Sequence, residues 1–217
     1  MTRFSLVENR VDFASSDEYT PFVRIYADAS CFRNGSIDSA AGCGAVILDQ
    51  NRLEIKLISN YIGNATNQQA EIVACTRALE QLRRCCRVEI VSDSRYVIDT
   101  MIRRNRMRTN RLFWTRLVQA CYGHHISWRW VKGHSGVPFQ EVADRLARAS
   151  AKLCSDLSGE DIAKLSALIS NSTGQFSLSN FEVEIENIVS RYGMPDDSFV
   201  PVPQLNSYES FPSAFSA

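Results

Sequence analysis

"RVEIVSD", residues 87–93, decides how this chain folds. Val88, Ile90 and Val91 make a short β-branched run, the length and composition of a buried strand, and the run ends on an acid, Asp93. Helical patterns lie on both sides of it. Upstream, Thr66-Asn67-Gln68-Gln69 fits the S/T-x-x-E/Q capping box of a helix start. Ile72, Cys75, Leu79 and Leu82 then recur at helical spacing, which predicts a helix over residues 67–84 with one apolar stripe. Downstream, Val97, Ile98, Met101 and Ile102 predict a second helix, and Phe113, Trp114, Leu117, Val118 and Cys121 a third. A strand set between helices joins its sheet through crossover connections and runs parallel to its neighbours.

The flanks beyond these helices differ. Val23, Ile25 and Ala27 alternate with polar or larger groups in a first strand that ends at Asp28. Cys43–Asp49 and Leu53–Ser59 read as two strands of a hairpin joined by Gln50-Asn51-Arg52. Further on, Ile126, Trp128 and Trp130 alternate in a last strand that delivers the chain into a loop, Gly133–Phe139. Val142, Leu146 and Ala149 mark a final helix. The order is β-β-β-α-β-α-α-β-α. It predicts an α/β fold: a mixed five-stranded sheet, antiparallel in its hairpin half and parallel in the other, flanked by helices.

With 45% apolar and 22% charged residues in 217, the composition is that of a globular chain with one good core. No apolar run is long enough to span a membrane, and the amino terminus lacks a signal-type apolar stretch. Seven cysteines, with no C-x-x-C pair, suggest a reduced, cytoplasmic setting. The zero net charge hides a division. Residues 21–152 hold 20 Lys and Arg against 11 Asp and Glu, whereas residues 153–217 hold 2 against 9. A basic body suits a polyanionic partner. Residues 1–20 read as a loose arm. Residues 153–217 read as an acidic extension with two short helices, over 158–170 and 180–191. From Gly193 onward, proline, serine and aromatics dominate without period, as in a disordered or partner-binding tail.

Two strands that both end on aspartate, Asp28 and Asp93, place these acids side by side if the strands are parallel neighbours, at the end of a sheet where sites form. Glu71 enters from the first turns of the helix at 67–84, and Asp144 from the last helix. Four acids brought together without paired bases repel one another unless divalent cations neutralise them. An all-oxygen donor set favours Mg²⁺ or Mn²⁺ over zinc. His134, in Gly133-His134-Ser135-Gly136, sits on a glycine-flanked turn ten residues before Asp144.

The motifs Y-A-D-A-S (26–30), T-N-Q-Q-A-E (66–71), S-D-S-R-Y-V (92–97), W-V-K-G-H-S-G (130–136) and A-D-R-L-A (143–147) together resemble type 1 ribonuclease H, over about residues 21–152. The resemblance implies that Asp28, Glu71, Asp93 and Asp144 hold two Mg²⁺ ions (or Mn²⁺), and that His134 is the mobile histidine of the site. It implies contacts to an RNA–DNA hybrid from Ser30, Thr66, Asn67, Ser94 and Gln140, and a buried tryptophan at Trp114 behind the substrate groove. Three departures stand out: Ala29 where the family has glycine, Gln140 where asparagine is usual, and a shortened stretch between Asp93 and Trp114. In that stretch Arg103, Arg104, Arg106 and Arg108 are candidates for a basic substrate handle.

The implied activity is hydrolysis of the RNA strand of RNA–DNA hybrids by two-metal-ion catalysis, leaving 5′-phosphate and 3′-hydroxyl ends. The alternatives are a hybrid-binding module that does not cut, or a nuclease of the same fold acting on another nucleic acid. A monomer is expected, with a tail that binds either another protein or the domain itself.

Overall fold

The computed structural model describes residues 20–102, 106–170 and 176–193. Five strands form one sheet: β1 (Phe22–Phe32), β2 (Ala40–Asp49), β3 (Glu54–Gly63), β4 (Arg87–Ser92) and β5 (His125–Trp130), in the order β3-β2-β1-β4-β5. β1 is antiparallel to β2, and β2 to β3, while β4 is parallel to both β1 and β5. The mixed sheet expected from the strand-helix order is therefore present. Among the described residues six helices join it: α1 (Asn67–Leu79), α2 (Arg95–Met101), α3 (Arg111–Cys121), α4 (Pro138–Leu153), α5 (Gly159–Ser170) and α6 (Leu178–Tyr192).

Strand alternation divides the core. Val23, Ile25, Val88 and Ile90 face one side, where they pack with Ile72 and Leu79 of α1 and Trp114 and Leu117 of α3. Tyr26, Val46, Leu48 and Val91 face the other, against Val142 and Leu146 of α4. Burying the sheet on both faces is what a β4 rich in valine and isoleucine requires.

Several boundaries differ from the sequence reading; β2 starts at Ala40 rather than Cys43, and β3 runs on to Gly63. β1 runs four residues past Asp28, because β2 continues to offer antiparallel partners as far as Phe32↔Ala40. α1 stops at Leu79 rather than residue 84; the chain tightens there through Gln81 N–H to the Ala78 carbonyl (3.2 Å) and Leu82 N–H to that of Leu79 (2.9 Å). α4 begins at Pro138, inside the expected loop, with proline in its first turn where no backbone donor is missed.

α4 lies directly on the backbone of β2. A Cβ at Gly44 would overlap the Ala143 carbonyl, and one at Gly42 would sit 2.5 Å from the Ala147 carbonyl. Glycine at these places lets the helix that carries Asp144 come close to the sheet.

The acidic extension packs on the same face. α5 buries Leu165 and Ile169, and α6 buries Phe181, Ile185 and Ile188, each set at helical spacing, in one cluster with α4 and the sheet. Expected as an appendage, residues 159–192 instead supply much of this half of the core, because both short helices are amphipathic. Asp161 ties them together: its carboxylate accepts from Ser158 Oγ (2.7 Å), Arg191 (2.6 Å) and Tyr192 Oη (2.7 Å). Most of the amino-terminal arm and the tail after Gly193 lie outside the described residues.

None of the seven cysteines is in a disulfide. Among the described residues no helix is long and apolar enough to cross a membrane.

Candidate active site

Asp28, Glu71, Asp93, His134 and Asp144 line one cleft of about 200 Å³, at the end of the parallel pairing between β1 and β4. Asp28 is buried on β1; its Oδ1 accepts from the Ala29 N–H (2.7 Å) and its Oδ2 from Gln140 Nε2 (3.2 Å). Glu71 sits in the second turn of α1, whose start is fixed by a capping box: Thr66 Oγ1 accepts from Gln69 N–H (3.3 Å) and Gln69 Oε1 from Thr66 N–H (2.8 Å). Glu71 Oε1 accepts from Asn67 Nδ2 (3.4 Å), while its Oε2 is buried with no partner among the described residues.

Asp93 directly follows β4, and its carbonyl accepts from Trp130 Nε1 (2.9 Å). The Arg95 guanidinium stacks 3.5 Å from the Trp130 ring centroid and braces that indole. Gly133 closes over Asp93 so tightly that a Cβ there would lie 2.5 Å from Asp93 Oδ2. Asp144, buried on α4, accepts from Arg148 Nε at Oδ1 (2.8 Å) and from Arg145 Nη1 at Oδ2 (3.4 Å). His134 adopts a left-handed backbone (φ 50°) and keeps most of its side chain exposed, with Nδ1 3.4 Å from Glu141 Oε2.

Ligand oxygens of Asp28, Glu71 and Asp93 all lie within 4.8 Å of one another. Such crowding raises the cost of charge. Burial pushes the Asp28 carboxyl well up, and the charges of Asp93 and Asp144 add to it, against a lowering by the Ala29 N–H. Burial likewise pushes Glu71 well up, with Asp28 and Asp93 adding. Asp93 is raised, again chiefly by burial. A buried, unpartnered oxygen among mutually repelling carboxylates has the chemistry of a divalent-cation site, so this donor set fits Mg²⁺ or Mn²⁺. A second group, His134, Glu141 and Asp144, has ligand atoms within 4.8 Å of one another across the same cleft.

The residues expected to touch substrate are placed less uniformly. Thr66 and Ser94 are the N-caps of α1 and α2, and Ser94 is largely buried; Asn67 leads into α1 with its N–H on Asn34 Oδ1 (3.0 Å). Ser30 lies on β1 beyond Asp28, half exposed. Gln140 is buried, lines the cleft, and bonds Asp28 and the Ala27 carbonyl (3.2 Å), so it braces the carboxylate. Trp114 is buried in the core against Tyr96. Arg106 and Arg108 are exposed, whereas Arg103 and Arg104 lie outside the described residues.

Glu141, Arg145 and Arg148 were not anticipated. Glu141 and Arg148 stand three before and four after Asp144, a spacing that puts them on one helix face and could have flagged them.

The chain is similar to known proteins over the part that builds this cleft. The family model described as RNase H matches residues 21–152. The ribonuclease H of Nitrosococcus oceani is 36% identical over 144 residues, covering 60% of this chain and 95% of the relative. That of Phenylobacterium zucineum is 39% identical over 142 residues, covering 59% and 90%. Among solved structures, LC9-RNase H1, a type 1 RNase H with the type 2 active-site motif, superposes with a TM-score of 0.55 at 26% identity, over 87% of this chain and 95% of its own. The amino-terminal RNase H domain of a Mycobacterium tuberculosis protein gives 0.51 at 25% identity, over 58% and 96%.

Proposed function

Since the chain belongs to the RNase H family and is a ribonuclease H, we propose that it hydrolyses the RNA strand of RNA–DNA hybrids internally, leaving 5′-phosphate and 3′-hydroxyl ends. The observation that carries this reading is the gathering of Asp28, Glu71 and Asp93 within 4.8 Å, with Asp144 facing the same cleft.

Asp28, Glu71, Asp93 and Asp144 would hold two divalent cations, Mg²⁺ or Mn²⁺. When bound, these supply Lewis-acid activation of water and charge stabilisation at the leaving oxygen. The protein's own groups do the rest. Gln140 and the Ala29 N–H orient Asp28, and Trp130 fixes the backbone at Asp93. His134 stands at the cleft on a turn with glycine at 133 and 136, and its Nδ1 faces Glu141. That leaves Nε2 as the atom able to take or return a proton at the reacting phosphate. Preference for RNA follows if minor-groove contacts require its 2′-hydroxyl, and the basic surface of residues 21–152 attracts the phosphates of both strands. Cytoplasmic placement and a monomeric state belong to the same proposal.

The test is a labelled hybrid offered with Mg²⁺ beside matched double-stranded RNA and DNA. Hybrid-only cleavage, silenced by chelator and leaving 5′-phosphates, is expected. Equal cutting of double-stranded DNA contradicts it.

A further inference from the structure

Among the described residues, Asp144 is the carboxylate of the site that is linked to the carboxy-terminal helices, through Arg145. Its neighbour Arg145 turns back along α4 and presents Nη1 to Asp144 Oδ2 at 3.4 Å, a long contact. The same guanidinium is held more firmly from the other side. Glu182, on α6, accepts from Arg145 Nη2 at 2.7 Å and from Nε at 3.1 Å, both through Oε1. Glu182 and Arg145 are each about one-third exposed, whereas the Asp144 side chain is only a tenth exposed. α6 cannot drift from α4, because Phe181 and Ile185 on either side of Glu182 are buried in the shared core.

A guanidinium at Oδ2 and a divalent cation compete for the same lone pairs, and neither shares them without cost. The bond lengths show which acid has the stronger hold on Arg145: Glu182. Remove the Glu182 charge, and Asp144 is the acid that stays hydrogen-bonded to the guanidinium, with Glu141 also acting on it through space. We propose that Glu182 is a positioning residue that holds Arg145 off Asp144 and so keeps Asp144 available to a divalent cation. The extension beyond residue 152 is then coupled to the catalytic cleft through one three-member chain, Glu182–Arg145–Asp144. This inference rests on the reading of Asp144 as a cation ligand. Arg148 bonds the other oxygen, Oδ1, from a half-exposed side chain that pairs with no further acid among the described residues, so it stays the same in every variant of the test.

The experiment uses the full chain without nucleic acid. Melting temperature is followed against Mg²⁺ concentration for the original protein, Glu182→Gln, Arg145→Gln and the double variant. Glu182→Gln is expected to raise the half-effective Mg²⁺ concentration about fivefold, the weight of one partly exposed ion pair. Arg145→Gln should bring it to the original value or below. The double variant should match Arg145→Gln, because without the guanidinium there is nothing for Glu182 to hold. If Glu182→Gln lowers melting equally at every Mg²⁺ concentration, the residue is only a packing contact and the proposal fails. If the original protein gains nothing from Mg²⁺, the cation-site reading itself falls, and the proposal with it.

Discussion

Asp28 and Asp93 hold equivalent places relative to the pairing of two neighbouring parallel strands. β1 and β4 pair as far as Tyr26↔Val91, and each aspartate lies two residues beyond that last pair, so the sheet itself sets the two carboxylates side by side. Folding has to bring these charges together. Two carboxylates about 4 Å apart repel by about 1 kcal/mol in water, and by about four times that where the surroundings are partly dry.

A pH dependence follows, with a definite sign. Asp28, Glu71 and Asp93 all have raised pKa values in the folded protein. Such groups favour the folded state while protonated, and that stability is lost as pH rises from the ordinary carboxylate range through the raised values. With chelator present, the melting temperature is therefore expected to fall as pH rises above the ordinary carboxylate range of about 4. Saturating Mg²⁺ should flatten the fall. A melting temperature that rises with pH above that range without metal would contradict the crowding.

Gly133 should be intolerant of any side chain. Gly133→Ala puts a methyl 2.5 Å from Asp93 Oδ2, whereas Gly136→Ala meets nothing within 4 Å and suffers only its left-handed φ of 77°. Cleavage is expected to drop at least tenfold in the first, as a displaced ligand costs more than about 1.4 kcal/mol, and to change only a few-fold in the second. Steady-state rates on a hybrid, with circular dichroism to confirm folding, check the contrast.

Gln140 separates bracing from substrate contact. Its amide bonds Asp28 and the Ala27 carbonyl from a buried position. Gln140→Leu removes both bonds, leaving Asp28 only its Ala29 N–H, and should lower kcat, with stability reduced by about 1–3 kcal/mol and hybrid affinity little changed. Lost affinity with an unchanged kcat would restore the contact expected from the sequence.

The carboxy-terminal helices should be required for a stable fold. Phe181 is fully buried against α4 and stacks its edge on Phe176. Phe181→Ala should cost about 3–5 kcal/mol. Removing residues 158–217 should leave an aggregation-prone chain, because the α4 face that Leu165, Phe181 and Ile185 cover becomes exposed. A truncated protein that melts like the original would show that the core closes without them.

What could be read in the sequence followed local rules. Asp28 and Asp93 were visible because each sits at the end of an apolar alternation, and Glu71 because a capping box fixed where α1 starts. The mixed sheet followed from a β-branched run placed between helices, while the order of its strands did not. Contacts made across the fold were not visible. That Gln140 reaches Asp28 depends on how closely α4 lies on Gly42 and Gly44. That Arg145 is shared between Asp144 and Glu182 depends on α6 folding back onto α4. The acidic composition of residues 153–217 pointed toward solvent, and it masked the narrow apolar stripes that bury Leu165, Phe181 and Ile185.

The most direct test of the carboxylate cluster as a metal-dependent catalytic centre is the thermal melting of the original protein and Asp93→Asn, each with chelator and with Mg²⁺. Asparagine keeps the shape, removes one charge and is a poor ligand for a hard cation. Asp93→Asn is expected to melt higher than the original in chelator and to gain less from Mg²⁺, so that the order of stability narrows or reverses when metal is added. An Asp93→Asn protein that melts lower in chelator, or gains as much from Mg²⁺ as the original does, would contradict the site.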